Sequence, residues 1–101
     1  AKVREFLENH WREEFQIDKI TKVASLSPSH LARVFEKHTG MTLYGYYQKI
    51  RVNQLKEALR NKNLSIAEAF SSCGFTYPGN FARFFKKQVG MTPSQYRKIM
   101  D

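Results

Sequence analysis

An internal repeat constrains this chain more than any other feature. At an offset of 50 residues, Leu31-Ala32-Arg33-Val34-Phe35-Glu36-Lys37-His38-Thr39-Gly40-Met41-Thr42 aligns with Phe81-Ala82-Arg83-Phe84-Phe85-Lys86-Lys87-Gln88-Val89-Gly90-Met91-Thr92. Seven of the twelve pairs are identical, and Tyr46/Tyr96 adds another. Two copies are too few for a solenoid, whose repeats each need neighbours on both sides to bury a continuous core. Each copy has one plan: a short helix, a tight turn, a longer helix, Gly-Met-Thr and a further helix. Short helix, turn and second helix make up the helix-turn-helix unit.

The rest of the chain supports that plan. Val3, Phe6, Leu7 and His10/Trp11 fall at helical spacing, which predicts a first helix over about residues 2–14. A second, over about 17–24, places Ile17, Ile20 and Ala24 on one face. Ser27-Pro28 opens a third, with serine as cap and proline at a position whose N–H is not needed. It runs to about His38 and stops at Gly40. Thr42 caps a long fourth helix over about 43–60. Ser65-Ile66-Ala67-Glu68 is a capping box for a fifth helix, which Gly74 ends. Thr76 is expected to cap a sixth over about 77–88, and Thr92-Pro93 to start a seventh. The predicted fold class is all-α: about seven helices in two helix-turn-helix subdomains, 1–42 and 61–101, joined by a linker helix over 43–60.

Charge points to an anionic partner. Lys and Arg number 17 against nine Asp and Glu, a net +8 over 101 residues. Positions 1–18 hold three basic and five acidic side chains, which leaves fourteen basic against four acidic over positions 19–101, a net +10. Phosphate attraction of this kind supplies most non-specific nucleic-acid affinity. No apolar run reaches the ~18 residues that would span a bilayer, and no signal-peptide pattern opens the chain. Cys73, the single cysteine, cannot form an internal disulfide. Transmembrane, disulfide-scaffold and collagen-like classes are excluded, and a cytoplasmic protein is expected. The chain does not begin with Met, which predicts a piece of a longer protein.

A helical wheel assigns faces to the repeated helix. With Leu31 as the origin, Phe35, His38 and Val34 lie within about 60° of it and form the predicted buried stripe. Arg33 falls at about 200°, Ser29 at about 160°, Lys37 at about 240° and His30 at about 260°. In the second copy Phe81, Phe85 and Phe84 turn inward, while Arg83, Gly79, Lys87 and Asn80 turn outward. Each outer face thus offers an arginine that can fork onto guanine O6 and N7, and a lysine one turn later for a phosphate. A linker of about 18 residues spans ~27 Å, approaching the ~34 Å between successive major grooves on one face of B-DNA. The two arginine segments are therefore expected side by side, pointing the same way.

The stretches Leu26-Ser27-Pro28-Ser29-His30-Leu31-Ala32-Arg33-Val34-Phe35 and Gly40-Met41-Thr42 resemble the first helix-turn-helix of AraC/XylS-type bacterial transcription regulators. Ser65-Ile66-Ala67-Glu68, Gly74-Phe75, Phe81 to Lys87 and Gly90-Met91-Thr92-Pro93-Ser94-Gln95-Tyr96-Arg97 resemble that family's second unit. The resemblance covers nearly the whole chain. It implies a seven-helix module that binds an asymmetric promoter site, reads bases through Ser29, His30, Ala32 and Arg33 in one unit and Gly79, Asn80 and Arg83 in the other, and grips phosphates with Lys37, Lys86 and Lys87. It also implies RNA polymerase as a partner and an effector or signalling domain elsewhere in the protein. Free N–H groups at the starts of helices 3, 4, 6 and 7 are expected to add phosphate bonds. Phe70 and Thr21 depart from the family pattern, which favours small residues there. Pro78-Gly79, expected in the first turn of the second recognition helix, predicts that the second unit reads less sequence than the first.

Other readings carry less. Phe15, Phe35, Phe75, Phe81, Phe84, Phe85, Tyr46 and Tyr96 have core spacing rather than that of base-stacking platforms. Tyr44, Tyr47 and Tyr77 are less constrained and free to touch a partner. His10, His30, His38 and Cys73 match no common zinc spacing, with His38 expected in the core or at a helix end. Ser27, Ser65, Thr42 and Thr92 are explained as caps, so neither an enzyme nor a cofactor is expected. The Glu5/Glu8 and Glu13/Glu14 clusters are expected to form a solvated face, the alternative being that this acidic first helix faces away from DNA, toward an attached domain or polymerase. The alternative function is a helical protein-interaction module with a basic docking face.

Overall fold

The computed structural model describes residues 2–100, which form seven α-helices and, among the described residues, no strand. These are α1 (Lys2–Asn9), α2 (Ile17–Ala24), α3 (Pro28–Thr39), α4 (Leu43–Leu59), α5 (Ile66–Ser72), α6 (Asn80–Val89) and α7 (Pro93–Met100). The chain divides into a first compact unit ending at Arg51 and a second beginning at Val52, a boundary that falls inside α4.

In the first unit α1, α2, α3 and the start of α4 enclose Val3, Leu7, Ile20, Leu31, Phe35, Leu43 and Tyr47. Phe6, Phe15, Ala24, Leu26, Tyr46 and Ile50 pack against that cluster. In the second unit Val52, Leu55, Leu59, Ala69, Phe70, Cys73, Phe75, Phe85 and Tyr96 are buried. The repeat holds in three dimensions. Ile20 and Phe70, 50 positions apart, are 1% and 0% exposed, and Phe35 and Phe85 are both buried. Phe70, which departs from the family pattern, fills the second core and meets the Tyr77 ring at 4.7 Å. Thr21 is half-buried, and its hydroxyl donates to Asp18 O at 3.0 Å.

The helix ends follow the local chemistry of the sequence. Ser27 Oγ accepts from His30 N, Thr42 Oγ1 from Gly45 N, Ser65 Oγ from Glu68 N and Thr92 Oγ1 from Gln95 N. The predicted box at Ser65/Glu68 is complete, and a second, unpredicted one closes where Gln95 Oε1 accepts from Thr92 N at 2.9 Å. Gly40 and Gly90 end α3 and α6 with φ of 73° and 90°, the left-handed turn that glycine enters without a Cβ clash.

Several expectations are corrected. The first helix ends at Asn9, not near residue 14. Continuing it would bring Glu13 and Glu14 to the negative end of the helix dipole. The chain instead turns, and Glu13 O accepts from the Tyr47 hydroxyl. Tyr47 is therefore buried at 4% exposure rather than free for a partner, and burial pushes its hydroxyl above the ordinary tyrosine value. The sixth helix starts at Asn80, with Gly79 rather than Thr76 as its cap. His38 stands at a helix end, in the last turn of α3, as one of its two expected placements required, but it is exposed beside an open cavity of about 520 Å3 and not part of the buried stripe. On the apolar face of α2, Ile20 is buried but Ile17, in the first turn, is 37% exposed.

Candidate nucleic-acid interface

In the first unit α2 (Ile17–Ala24), a turn through Ser25 and the 12-residue α3 form a helix-turn-helix. Ser25 makes that turn in the left-handed region, φ 57°, with its N–H donating to Thr21 O. Leu31 and Phe35 anchor α3 inward, so the opposite face is forced into solvent. Ser29, His30, Ala32, Arg33 and Lys37 are all exposed there, as the wheel requires. Among the described residues, the side chains of Arg33 and Lys37 take no hydrogen bond, ion pair or ring contact. Both cations are therefore available to an external anion.

The second unit repeats the design with differences at its entrance. Gly74, φ 83°, turns the chain after α5, and Phe75 N donates to Phe70 O at 2.9 Å. Tyr77, Pro78 and Gly79 then precede α6 rather than forming its first turn. Gly79 has an ordinary extended backbone, but a Cβ there would stand 2.9 Å from Thr76 O, so this close approach demands glycine. Gly79 is half-buried and caps α6 without a side-chain bond. Asn80, Arg83, Lys86 and Lys87 are exposed. Arg83 Nη2 donates to Asn80 Oδ1 at 2.5 Å, while Lys86 and Lys87 stay unpaired among the described residues. Phe85 is fully buried, and Phe81 and Phe84 are only half-buried, Phe81 stacking on Phe75 with ring centres 4.0 Å apart and Phe84 tilted against Phe81 at 5.6 Å.

Two charged residues outside the predicted set stand out. Glu36 is exposed on α3 one turn beyond Arg33. Arg97 Nε donates to Leu59 O at 2.8 Å and its Nη2 to Asn61 O at 3.3 Å, so α7 caps the end of α4 inside the second unit. The wheel and the repeat contained the signal for Glu36. Nothing local contained that for Arg97, whose acceptors lie 38 and 36 positions away. Among the described residues no group of three or more His, Cys, Asp or Glu is placed to hold a metal ion. Nor is any helix of the described residues long and apolar enough to cross a membrane.

Two helix-turn-helix units, each presenting an arginine-bearing outer helix, define a nucleic-acid-binding module of the bihelical type. A family pattern described as a helix-turn-helix domain matches residues 20–99, and the chain belongs to the AraC-type helix-turn-helix family of DNA-binding domains. It is 35% identical over 85 residues to the transcriptional activator RhaR of Escherichia coli strain K12, covering 84% of this chain and 30% of RhaR. It is 29% identical over 97 residues to the bifunctional transcriptional activator/DNA repair enzyme AdaA of Bacillus subtilis, covering 96% of this chain and 46% of AdaA. The chain thus spans less than half the length of these curated relatives. Among solved structures, the DNA-binding domain of the global transcriptional factor AdpA, in complex with a target DNA, superposes with a TM-score of 0.84. That match is 27% identical and covers 98% of this chain and 89% of the other.

Proposed function

We propose that the chain is a sequence-specific double-stranded DNA-binding module, the output end of a bacterial transcription regulator, whose α3 and α6 enter successive major grooves. The observation that carries this reading is the matched pair of exposed outer faces: Arg33 with Lys37 on α3, and Arg83 with Lys86 and Lys87 on α6. Arginine offers a planar fork for a base edge, and lysine a mobile point charge for phosphate. Ser29, His30, Ala32 and Arg33 are assigned to base readout in one half-site, and Asn80 and Arg83, beside the Gly79 backbone, in the other. Lys37, Lys86 and Lys87 are assigned to phosphates. Within this reading, residues 1–42 and 61–101 are the two reading subdomains and the helix over 43–60 sets their spacing.

The full-length protein, in this reading, works in the cytoplasm on promoter DNA, carries an effector or signalling domain and recruits RNA polymerase as an activator. RhaR and AdaA are both transcriptional activators by name, which supports that direction. No reaction is assigned to this chain, because Ser27, Thr42, Ser65 and Thr92 are all occupied as helix caps.

Duplex binding titrated against salt tests the proposal. If each unit neutralises ~3 phosphates, log K against log[salt] falls with a slope of about −5. A flat response would favour instead a protein-interaction module with a basic docking face.

A further inference from the structure

The repeat is broken at one charged position: α3 carries Glu36 where α6 carries Lys86. On the wheel Glu36 lies at about 140° from Leu31, between Ala32 and Ser29, and closer to the middle of the exposed face than Lys37. Ser29, Arg33 and Glu36 form one ridge along α3, with Glu36 ~4.5 Å beyond Arg33 along the axis. Arg33 and Glu36 are spaced for an i,i+3 ion pair, yet among the described residues they form none, and the Glu36 carboxylate has no hydrogen-bond partner. An unpaired anion therefore sits on a ridge that is otherwise suited to approach a polyanion.

We propose that Glu36 is a specificity-determining residue of the first unit, accepting a hydrogen bond from a cytosine amine and penalising duplexes that present only acceptors or phosphate to it. The inference rests on the DNA-binding reading above. A carboxylate at neutral pH only accepts, and guanine O6 and N7 and thymine O4 also accept. The major groove offers two donors, cytosine N4 and adenine N6, and the cytosine amine is the one that aspartate and glutamate recognise, because adenine sets its N7 acceptor beside N6 where a carboxylate has nothing to donate. Against a phosphate the same group is repelled, so Glu36 lowers non-specific affinity where Lys86 raises it. Its ~4.5 Å displacement from Arg33 compares with a base-pair rise of ~3.4 Å, which places the position it reads next to the one read by Arg33.

Selection from a randomised duplex pool with the intact chain and the variants Glu36→Gln and Glu36→Lys tests this. Position 36 is exposed, so unchanged thermal unfolding is expected in both. The native chain should favour cytosine at one position by ~5-fold or more, beside the position that Arg33→Ala relaxes. Glu36→Gln should turn that preference toward adenine and Glu36→Lys toward guanine, following the pairing habits of those side chains. Glu36→Lys should also tighten binding to all duplexes and steepen the salt slope by ~1. Identical base preferences in all three proteins, with only affinity changed, would overturn the assignment and leave Glu36 a long-range charge. Failure of the native chain to bind duplex in a salt-dependent way would instead remove the reading beneath it.

Discussion

Arg83 donates through Nη2 to Oδ1 of Asn80, one turn earlier on α6, whereas its repeat counterpart Arg33 has His30 at that position and makes no such bond. The two exposed outer faces thus share an arginine but hold it differently. Asn80 restricts the rotamers of Arg83 before any ligand arrives, and its own amide NH2 takes no hydrogen bond among the described residues and remains a donor. A pre-aimed guanidinium loses less side-chain entropy on binding than a free one. Arg83 and Asn80 should therefore act as a unit. In a double-mutant cycle on duplex affinity, Asn80→Ala and Arg83→Ala should be non-additive by ~0.5–3 kcal/mol, while Ser29→Ala and Arg33→Ala should couple less. Additive effects at Asn80 and Arg83 would show that their bond does not survive in the complex.

In the proposed assignment Arg33 reads a base and Lys87 grips a phosphate, and two substitutions separate these roles. Arg33→Ala should relax preference at one base position, a loss of ~1–3 kcal/mol against the best site and less against mismatched ones. Lys87→Ala should weaken every duplex about equally and shallow the salt slope by ~1. Arg83→Ala is expected to affect selectivity less than Arg33→Ala, since Gly79, beside Asn80, offers no side chain to a base and lies outside α6. A binding-site selection that showed the stronger motif in the half-site read by α6 would reverse that ranking.

What the sequence made legible was what is written locally. Ser27, Thr42, Ser65 and Thr92 cap within three residues of themselves, and Gly40 and Gly90 stop their helices by their own φ. The inward and outward faces of α3 followed from Leu31 and Phe35 alone. The failures share a physical origin in contacts that periodicity does not record. The end of α1 depends on a hydroxyl from Tyr47, 34 positions away from its acceptor at Glu13. The start of α6 depends on the approach of Gly79 to the Thr76 backbone. His38 has the angle of a core residue but sits where the neighbouring elements leave a cavity. Among the outward residues the types were readable, but the bond that joins Asn80 to Arg83 needed coordinates.

Arg97 should matter for stability rather than for DNA. Its Nε bond satisfies the Leu59 carbonyl at the C-terminal end of α4, where the helix dipole also favours a cation, and its Nη2 bond reaches Asn61 O just beyond the helix. Arg97→Met keeps the aliphatic stem and removes both bonds, and should cost about 1–3 kcal/mol in denaturant unfolding. Arg97→Lys should recover only part, because one ammonium on a flexible stem cannot span two carbonyls as the fork does. If Arg97→Met unfolded at the same denaturant concentration as the native chain, the two bonds would carry no weight in solution.

Ser25 offers a stabilising change. It is the one residue other than glycine with positive φ among the described residues, and it performs in the first unit the turn that Gly74 performs in the second. A side chain in that region costs ~1–2 kcal/mol in steric terms, whereas glycine costs ~0.5–1 kcal/mol in added freedom of the unfolded chain. Ser25→Gly should therefore raise stability slightly, by up to ~1 kcal/mol, and Ser25→Val should lower it. Thermal unfolding of the three proteins, with duplex affinity as a check on the turn geometry, decides the sign.

The capping box of α5 predicts an acid-sensitive contribution. Ser65 N donates to Glu68 Oε1 at 2.7 Å, and hydrogen bonds from the Ser65 backbone and side chain hold the Glu68 carboxyl below its ordinary value. A carboxyl with a lower value in the folded than in the unfolded chain stabilises the fold fully above its unfolded value. That stabilisation is lost as pH falls through the lowered folded value, where the group takes up a proton and weakens as an acceptor. Glu68→Gln keeps an acceptor oxygen but cannot titrate, so the native chain should be the more stable of the two at neutral pH. The gap should close as pH drops below the ordinary glutamate range. Because Glu68 is exposed, the change should be small and should diminish further in high salt. Unfolding curves for both proteins from neutral to acid pH measure it, and a gap that stayed constant across that range would show that the carboxyl's charge adds nothing to the cap.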